Sequence, residues 1–189
     1  FRRTQNERNS YNQLVKVMQA VLRFTRIEVL PDQQGPFETI LSQELADHQS
    51  AAKEFQPSIW ADCDNPYRYV SVRMFVSHDE LDEERQDEDF LKTRYPLYVS
   101  TLAGPQEIVE LNPNAAVGRL LARVPVGAYM SVSERLASPG YERELREETQ
   151  LVLDSLQSIE GYLGGFVTFR EHLETEVYGF AFWSSYESF

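Results

Sequence analysis

The sequence is short of the residues that bind metals through sulfur or imidazole. It has one cysteine and three histidines in 189 residues. Cys63 has no second cysteine to pair with, which excludes an intrachain disulfide and a metal cluster held by thiolates. His48, His78 and His172 are far apart and form neither an HxxxH nor an HExxH motif. We therefore predict no metal site.

Positive charge is also scarce. The 18 lysines and arginines face 30 aspartates and glutamates, which gives a formal net charge of -12. Nucleic acids and anionic membranes are bound by clustered Lys and Arg, so we predict that neither is the main partner of this acidic protein. No apolar run approaches the roughly 20 residues that a membrane-spanning helix needs, so no membrane span is predicted.

The chain does contain enough apolar side chains for a core. Hydrophobic residues make up 42% of it and aromatic residues 12%, and its length suits one large domain or two small ones. The first residue is Phe, and no signal peptide is recognisable. We expect a cytoplasmic protein, with a removed leader as the open alternative.

Hydrophobic periodicity predicts the elements of the first half. Polar residues dominate the start, so residues 1–19 are expected to be a solvated extension. Apolar residues spaced by three and four from Phe37 to Phe55 predict a helix that ends before Pro57. Period-two alternation predicts the strands. The predicted order is a strand within 17–30, a helix at 37–55, strands at 58–63 and 67–76, an irregular helix within 78–98, and a strand at 107–111.

The second half repeats the beginning of this order. Its predicted elements are a strand at 129–136, a helix at 141–160 and strands at 163–170 and 177–183, whereas residues 115–123 fit a short helix or an extended connection. Setting Tyr141 against Phe37 aligns the apolar helix faces at a constant offset of 104. That offset requires a shorter loop before the second helix and a longer turn between the last two strands. Repeats of one supersecondary unit tend to pack together, which favours a true duplication.

The repeat predicts an α+β fold of two ferredoxin-like units with the order βαββαβ, the second incomplete. Both faces of the strand at 67–76 are apolar, so a second sheet is expected to cover the face that the helices leave open. The predicted boundaries are an extension at 1–19, a first unit at 20–114, a linker at 115–127 and a second unit at 128–189. We expect the second unit to lack its last helix and strand. An incomplete C-terminus is the favoured reason, and the open alternatives are that residues 1–19 or another subunit fill that space.

Several motifs resemble the antibiotic biosynthesis monooxygenase (ABM) family, over residues 20–111 and 128–189. In the first half they are Pro57, Asn65–Tyr69, Ser77 followed by acids and Leu81, Phe90, and Glu107–Leu111. In the second half they are GYLGG at 161–165 and FWSSYESF at 182–189.

The resemblance implies a dimeric α/β barrel, here made by a tandem duplication, with a ligand pocket between sheet and helices. Some members of the family oxidise polycyclic aromatic molecules with dioxygen and without metal or flavin, others degrade haem, and many have no known activity. The expectations are therefore no cofactor, a small aromatic molecule as partner, and a homo-oligomer or a larger protein assembly.

The sequence also departs from the family pattern. The histidine pair that members often carry in the helix after the third strand is replaced by Glu84, Arg85 and Asp89. The Trp that ends the third strand in many members is Phe75 in the first unit and is retained as Trp183 in the second.

His48 and Trp183 are the catalytic candidates. His48 lies on the apolar face of the first helix, where it is either a general acid or base or a buried, hydrogen-bonded histidine. The substrate-binding candidates are aromatic side chains on strands and one arginine. The aromatic side chains either bind a flat substrate or belong to the core, and the arginine either binds a carboxylate or phenolate or forms an ion pair. They are Trp60, Tyr69, Arg73, Phe75, Tyr178 and Phe180.

Two functions stay open on these grounds. The first is a cofactor-independent oxygenase acting on an aromatic or quinol-type small molecule. The second is a non-catalytic binding or assembly module built on a duplicated ABM-type barrel, which the missing helix histidines favour. An open aromatic-lined cavity beside His48 or Trp183 would favour the first, and a pocket filled by the protein's own side chains would favour the second.

Overall fold

The computed structural model of the chain describes residues 20–50, 55, 57–113 and 117–188, without the side chains of 48–50. The chain divides into two compact units. The first unit is Val21–Val109, and the second unit begins at Glu110. Among the described residues, no helix is long and apolar enough to cross a membrane.

The first unit has the ferredoxin-like order that the sequence predicts. Its strands lie in the order β2-β3-β1-β4, and β3 pairs antiparallel with both β1 and β2. The elements are β1 (Val21–Glu28), α1 (Gln34–Ser50), β2 (Ser58–Ala61), β3 (Arg68–Phe75), α2 (His78–Arg85), a π-helical turn (Phe90–Arg94), α3 (Tyr95–Val99) and β4 (Glu107–Asn112).

Alternation along β1 and β3 separates two faces of this sheet. In the register Ile27 lies opposite Tyr69, and both belong to a buried cluster with Phe37 and Leu41 of α1. The odd-numbered residues of both strands therefore face the helices, as the period of two requires. α2 begins where predicted, because the Ser77 hydroxyl accepts a hydrogen bond from the backbone N–H of Glu80 at 3.3 Å.

The second unit has a sheet in the order β4-β6-β7-β5, in which the end of β4 pairs with the end of β6. The segment that the sequence left undecided contains the short helix α4. The elements after β4 are α4 (Val117–Leu121), β5 (Tyr129–Leu136), α5 (Glu142–Ser155) with a 3-10 turn (Leu156–Ser158), β6 (Tyr162–Arg170), β7 (Leu173–Trp183) and a final 3-10 turn (Tyr186–Ser188).

The repeat is real in structure, but the predicted offset of 104 is wrong. Val21 and Tyr129 begin β1 and β5, and Glu28 and Leu136 end them. Setting Val21 against Tyr129 aligns the two strands. The same alignment matches the start of α1 to the start of α5, and the end of α1 to the end of the 3-10 turn that follows α5. One alignment therefore fits strand and helix together, and the predicted difference in the length of the loop between them does not exist.

The error arose in the helix register. A shift of four residues is close to one helical turn, so it leaves an apolar stripe in almost the same place. The predicted stripe of α5 included Tyr141 and Val152, which are 64% and 48% exposed. Three predicted members of the stripe do face the core: Thr149 is buried, and Leu145 and Leu156 pack against the buried cluster. Leu153, which was not in the predicted stripe, is the other buried position.

Candidate functional site

The helix-to-sheet layer of the first unit is occupied by charged side chains. Arg23 and Arg73 lie opposite each other on β1 and β3. Glu84 of α2 forms ion pairs with both, at 3.1 Å to Arg23, and the two guanidinium groups lie 5.1 and 4.7 Å from the centre of the Phe75 ring. Burial lowers the pKa of Arg73, although the neighbouring carboxylates oppose that shift. This layer is stabilised by an internal ion-pair network.

Glu44 of α1 adds a half-buried carboxyl to the same layer. Burial raises the pKa of Glu44, the negative charge of Glu84 raises it further, and Arg73 and Arg94 oppose both effects. Tyr98 is buried nearby, and burial together with Glu44 raises its pKa as well. The first unit therefore has titratable and ion-paired groups between its helices and its sheet.

The equivalent layer of the second unit contains small side chains at the positions of the two arginines. Ser131 and Ala181 lie opposite each other, at the positions of the repeat that Arg23 and Arg73 occupy in the first unit. The indole N–H of Trp183 donates a hydrogen bond to the Ser131 hydroxyl at 3.2 Å. The Tyr162 ring meets Trp183 edge-on, with 5.1 Å between ring centres. At the positions that Arg23 and Arg73 occupy in the first unit, the second unit therefore has no charge and an aromatic pair beside them.

A cavity of about 530 Å³ opens beside this aromatic pair. That volume lies in the range of small-molecule sites, about 300–1,000 Å³. Helix α4, the end of α5 and the start of β6 form its walls. The lining residues are Arg119, Leu120, Arg123, Val124, Asp154, Gln157, Tyr162, Leu163, Gly164 and Gly165.

Two glycines of β6 allow the walls to approach each other. Gly164 has a φ of +136°, and a Cβ there would lie 2.7 Å from a methyl carbon of Leu120 on α4. A Cβ on Gly165 would lie 2.5 Å from the backbone oxygen of Phe180 and 2.6 Å from the Tyr162 hydroxyl. Larger residues would push α4 away from β6 and displace the phenol of Tyr162.

The cavity lining has more positive than negative side chains. Burial, and then the negative charge of Asp154, raise the pKa of Tyr162, so its hydroxyl stays protonated at neutral pH and can donate a hydrogen bond. Asp154 accepts a hydrogen bond from Gln150 at 2.9 Å. Arg119 and Arg123 bring two positive charges to a wall on which Asp154 is the single carboxylate.

Within each unit, the predicted residues lie on different sheet faces. Trp183 is buried and contacts Tyr162, which lines the cavity. Tyr178 and Phe180 are buried on the opposite face of β7 by strand alternation, where Phe180 stacks on Phe166 at 4.7 Å. The Tyr178 hydroxyl donates to Glu176 at 3.4 Å.

In the first unit, Trp60 lies opposite Val70, which places it on the face away from Tyr69. Tyr69 is buried against Phe37 and donates a hydrogen bond to Glu38 at 2.8 Å. Arg73 and Phe75 belong to the ionic layer described above. Neither unit gathers its candidates into one aromatic pocket. His48 falls within α1, but its side chain is outside the described residues.

The other two histidines are not part of the cavity. His78 is the first residue of α2. His172 lies in the tight turn between β6 and β7, with a φ of +62° and a side chain that is 91% exposed. In the part of the chain that the structure describes, no group of three or more His, Cys, Asp or Glu could hold a metal ion.

Sequence reasoning missed most of the cavity lining. The GYLGG motif at 161–165 was singled out, and it supplies three lining positions besides Leu163: Tyr162, Gly164 and Gly165. Arg119 and Arg123 were not singled out. The signal available for them was their spacing of four within the undecided segment, which places both on one side if the segment is helical.

Comparison with solved structures gives similar folds over most of the chain. A candidate monooxygenase from Fusobacterium nucleatum has a TM-score of 0.69 at 10% identity, covering 90% of this chain and 78% of that one. A candidate monooxygenase from Lactobacillus acidophilus has a TM-score of 0.64 at 10% identity, covering 90% and 79%. An anthrone oxidase-like protein has a TM-score of 0.63 at 11% identity, covering 90% and 75%.

These likenesses show the fold. The predicted α+β class, with two ferredoxin-like units in tandem, is confirmed, and the resemblance to ABM-type proteins is confirmed at the level of the fold. No family model matches the chain, and no curated protein matches it.

Proposed function

We propose that the protein is a cofactor-independent oxygenase that acts on an aromatic or quinol-type small molecule in the cavity of the second unit. The observation that carries this proposal is the cavity itself, which is about 530 Å³ and lies beside the Tyr162–Trp183 pair. Its volume suits a polycyclic substrate. The names of the similar structures, two candidate monooxygenases and an anthrone oxidase-like protein, support the choice of reaction.

The proposed reaction is written for anthrone, whose CH2 group lies between two aromatic rings and opposite a ketone. A base removes one C–H proton and leaves an enolate, which transfers an electron to dioxygen. The two radicals then form a C–O bond, and the proton that the base removed returns to the outer oxygen, giving a hydroperoxide. Loss of the second C–H proton with O–O cleavage releases water and leaves a C=O group. The carbon loses four electrons, and dioxygen gains four.

Three residues take roles in this proposal. The protonated hydroxyl of Tyr162 donates a hydrogen bond to the developing enolate oxygen, which is the charge that must be stabilised. Asp154 is the carboxylate on the lining and accepts the C–H proton. Trp183 holds the Tyr162 ring edge-on and is in turn held by Ser131, so it is a positioning residue.

The non-catalytic alternative receives less support from the second unit than from the first. A layer filled by its own side chains suits a structural role, and the Arg23–Glu84–Arg73 network is of that kind. The second unit replaces both arginines by Ser131 and Ala181 and has an open cavity. The role of His48 stays a prediction.

Dioxygen uptake with anthrone tests the proposal. The wild-type protein should consume one dioxygen per anthrone, above the uncatalysed rate, and should form anthraquinone in the presence of a chelator. Tyr162→Phe keeps the ring contact with Trp183 but removes the donor, so kcat should fall by about 10²-fold at nearly unchanged stability. Absence of uptake by the wild-type protein would favour the binding module.

A further inference from the structure

Two arginines of the second unit differ from the other positive side chains. In the described part of the chain, most of these side chains lie within ion-pair distance of an acid, and Arg135 donates to the Thr149 hydroxyl at 3.4 Å. Arg119 and Arg123 have neither kind of partner among the described residues. The ion-paired ones are Arg23, Arg26, Arg68, Arg73, Arg85, Lys92, Arg94, Arg143, Arg146 and Arg170.

The backbone directs both arginines to one side. Arg119 lies within α4, and the helical hydrogen bonds continue past its end, from Ala122 N–H to the Gly118 oxygen at 3.2 Å and from Arg123 N–H to the Leu120 oxygen at 2.9 Å. Residues four apart on a helix are neighbours on its surface. Both side chains line the cavity.

Arg119 and Arg123 are exposed, so their guanidinium groups are open to a ligand that enters the cavity. The acids of the chain outnumber its cations by 30 to 18, and both arginines still lack an ion pair among the described residues. A guanidinium group is a planar donor that matches the two oxygens of a carboxylate. Two such groups lie one turn apart, and the protonated Tyr162 hydroxyl is on the same lining. Together they supply hydrogen-bond donors for an anionic oxygen group.

We propose that the cavity prefers aromatic molecules that carry a carboxylate, which Arg119 and Arg123 bind while the ring system lies along Tyr162. This inference rests on the proposed function, since it takes the same cavity as the substrate site. It adds the substrate class, an aromatic carboxylate, and it assigns the residues that select it.

A pair of probes that differ only in charge tests the preference. Anthraquinone-2-carboxylate and anthraquinone-2-carboxamide have the same rings, and their affinities can be measured by isothermal titration calorimetry. The wild-type protein should bind the carboxylate about tenfold more tightly than the amide. The Arg119→Gln/Arg123→Gln variant should bind both within about twofold. Arg143→Gln, which changes an exposed arginine of α5 outside the lining, should keep the wild-type preference.

Equal wild-type affinities for the two probes would overturn the inference, as would a carboxylate preference that survives in the double arginine variant. Failure of both probes to bind would also overturn it. Uptake of dioxygen with anthrone, which carries no carboxylate, separates this inference from the proposed function. Turnover of anthrone without a carboxylate preference leaves the oxygenase proposal standing, whereas a carboxylate preference without turnover leaves only the binding site.

Discussion

Arg73 was a substrate-binding candidate, and its surroundings are those of a structural residue. Its side chain is 12% exposed, it pairs with Glu84, and its guanidinium lies over the Phe75 ring. Removing one member of a buried ion pair leaves the other charge without full compensation. Because Arg23 still pairs with Glu84, we expect a loss of stability at the low end of the range for a broken buried ion pair.

We predict that Arg73→Ala lowers the free energy of unfolding by about 3 kcal/mol in urea denaturation. Arg68→Ala is the matched control on the same strand. Its pair with Glu28 is more than half exposed on both sides, so the loss there should stay below about 0.5 kcal/mol. Equal effects of the two substitutions would mean that the buried network does not stabilise the first unit.

Glu44 gives the first unit a pH dependence whose sign follows from its raised pKa. The folded protein holds the Glu44 proton more tightly than the unfolded chain does, so the contribution of this group falls as the pH rises above its ordinary value of 4.5. Glu44→Gln removes that loss.

We predict that Glu44→Gln gains stability relative to the wild type between about pH 4 and about pH 7. Urea denaturation at both pH values measures the change, and Glu83→Gln, on the exposed side of α2, controls for the loss of one negative charge. A stability difference that stays constant or shrinks towards pH 7 would contradict the assignment.

At the scale of elements, the approach of α4 to β6 forms the cavity, and Gly164 permits that approach. Gly164→Ala introduces a side chain at a positive φ and into contact with Leu120. We predict a loss of about 1–3 kcal/mol in the free energy of unfolding, with weaker binding of aromatic probes.

Gly35→Ala is the matched control. Gly35 is exposed in α1, and nothing lies within 4 Å of a Cβ placed there. Alanine is the better helix former, but Pro36 disfavours helical geometry at a preceding residue with a Cβ, so stability should change by no more than about 1 kcal/mol in either direction. A Gly164→Ala variant as stable as Gly35→Ala, with unchanged probe binding, would show that α4 does not close against β6.

The sequence predicted most elements because alternation and turn residues are local signals. The strand at Tyr129–Leu136 was predicted to the residue. The register of α5 was not predictable in the same way, since a shift of one turn preserves the apolar stripe. The packing of Leu153 against Val167 and Ala181 decides it, and that contact joins distant parts of the chain.

The cavity was harder to predict for a related reason. Its lining combines a short helix, the end of a long helix and the start of a strand, and each of them contributes only a few side chains. Trp183 was found through its resemblance to a family position, and Tyr162 through the GYLGG motif. Arg119 and Arg123 are distinguished by the lack of a partner among the described residues. The folded structure is needed to show that, so the sequence could not single them out.

At the scale of the whole molecule, one constant alignment relates the two units, and the same backbone positions carry different chemistry. Arg23 and Arg73 fill the layer of the first unit, whereas Ser131 and Ala181 leave room for the Trp183–Tyr162 pair in the second. The two units therefore place different side chains at equivalent positions of one fold, and the proposed ligand site lies in the second.

The most direct test compares dioxygen uptake by two variants that differ in where one large side chain is placed. Val124→Trp fills the cavity wall, and Val126→Trp adds the same ring at a fully exposed position two residues away. With anthrone as substrate, we predict that Val124→Trp loses at least about 90% of the wild-type rate, a change of about tenfold, and that Val126→Trp keeps it. Uptake that is equal in both variants, or no greater than the uncatalysed rate in the wild type, would contradict the account.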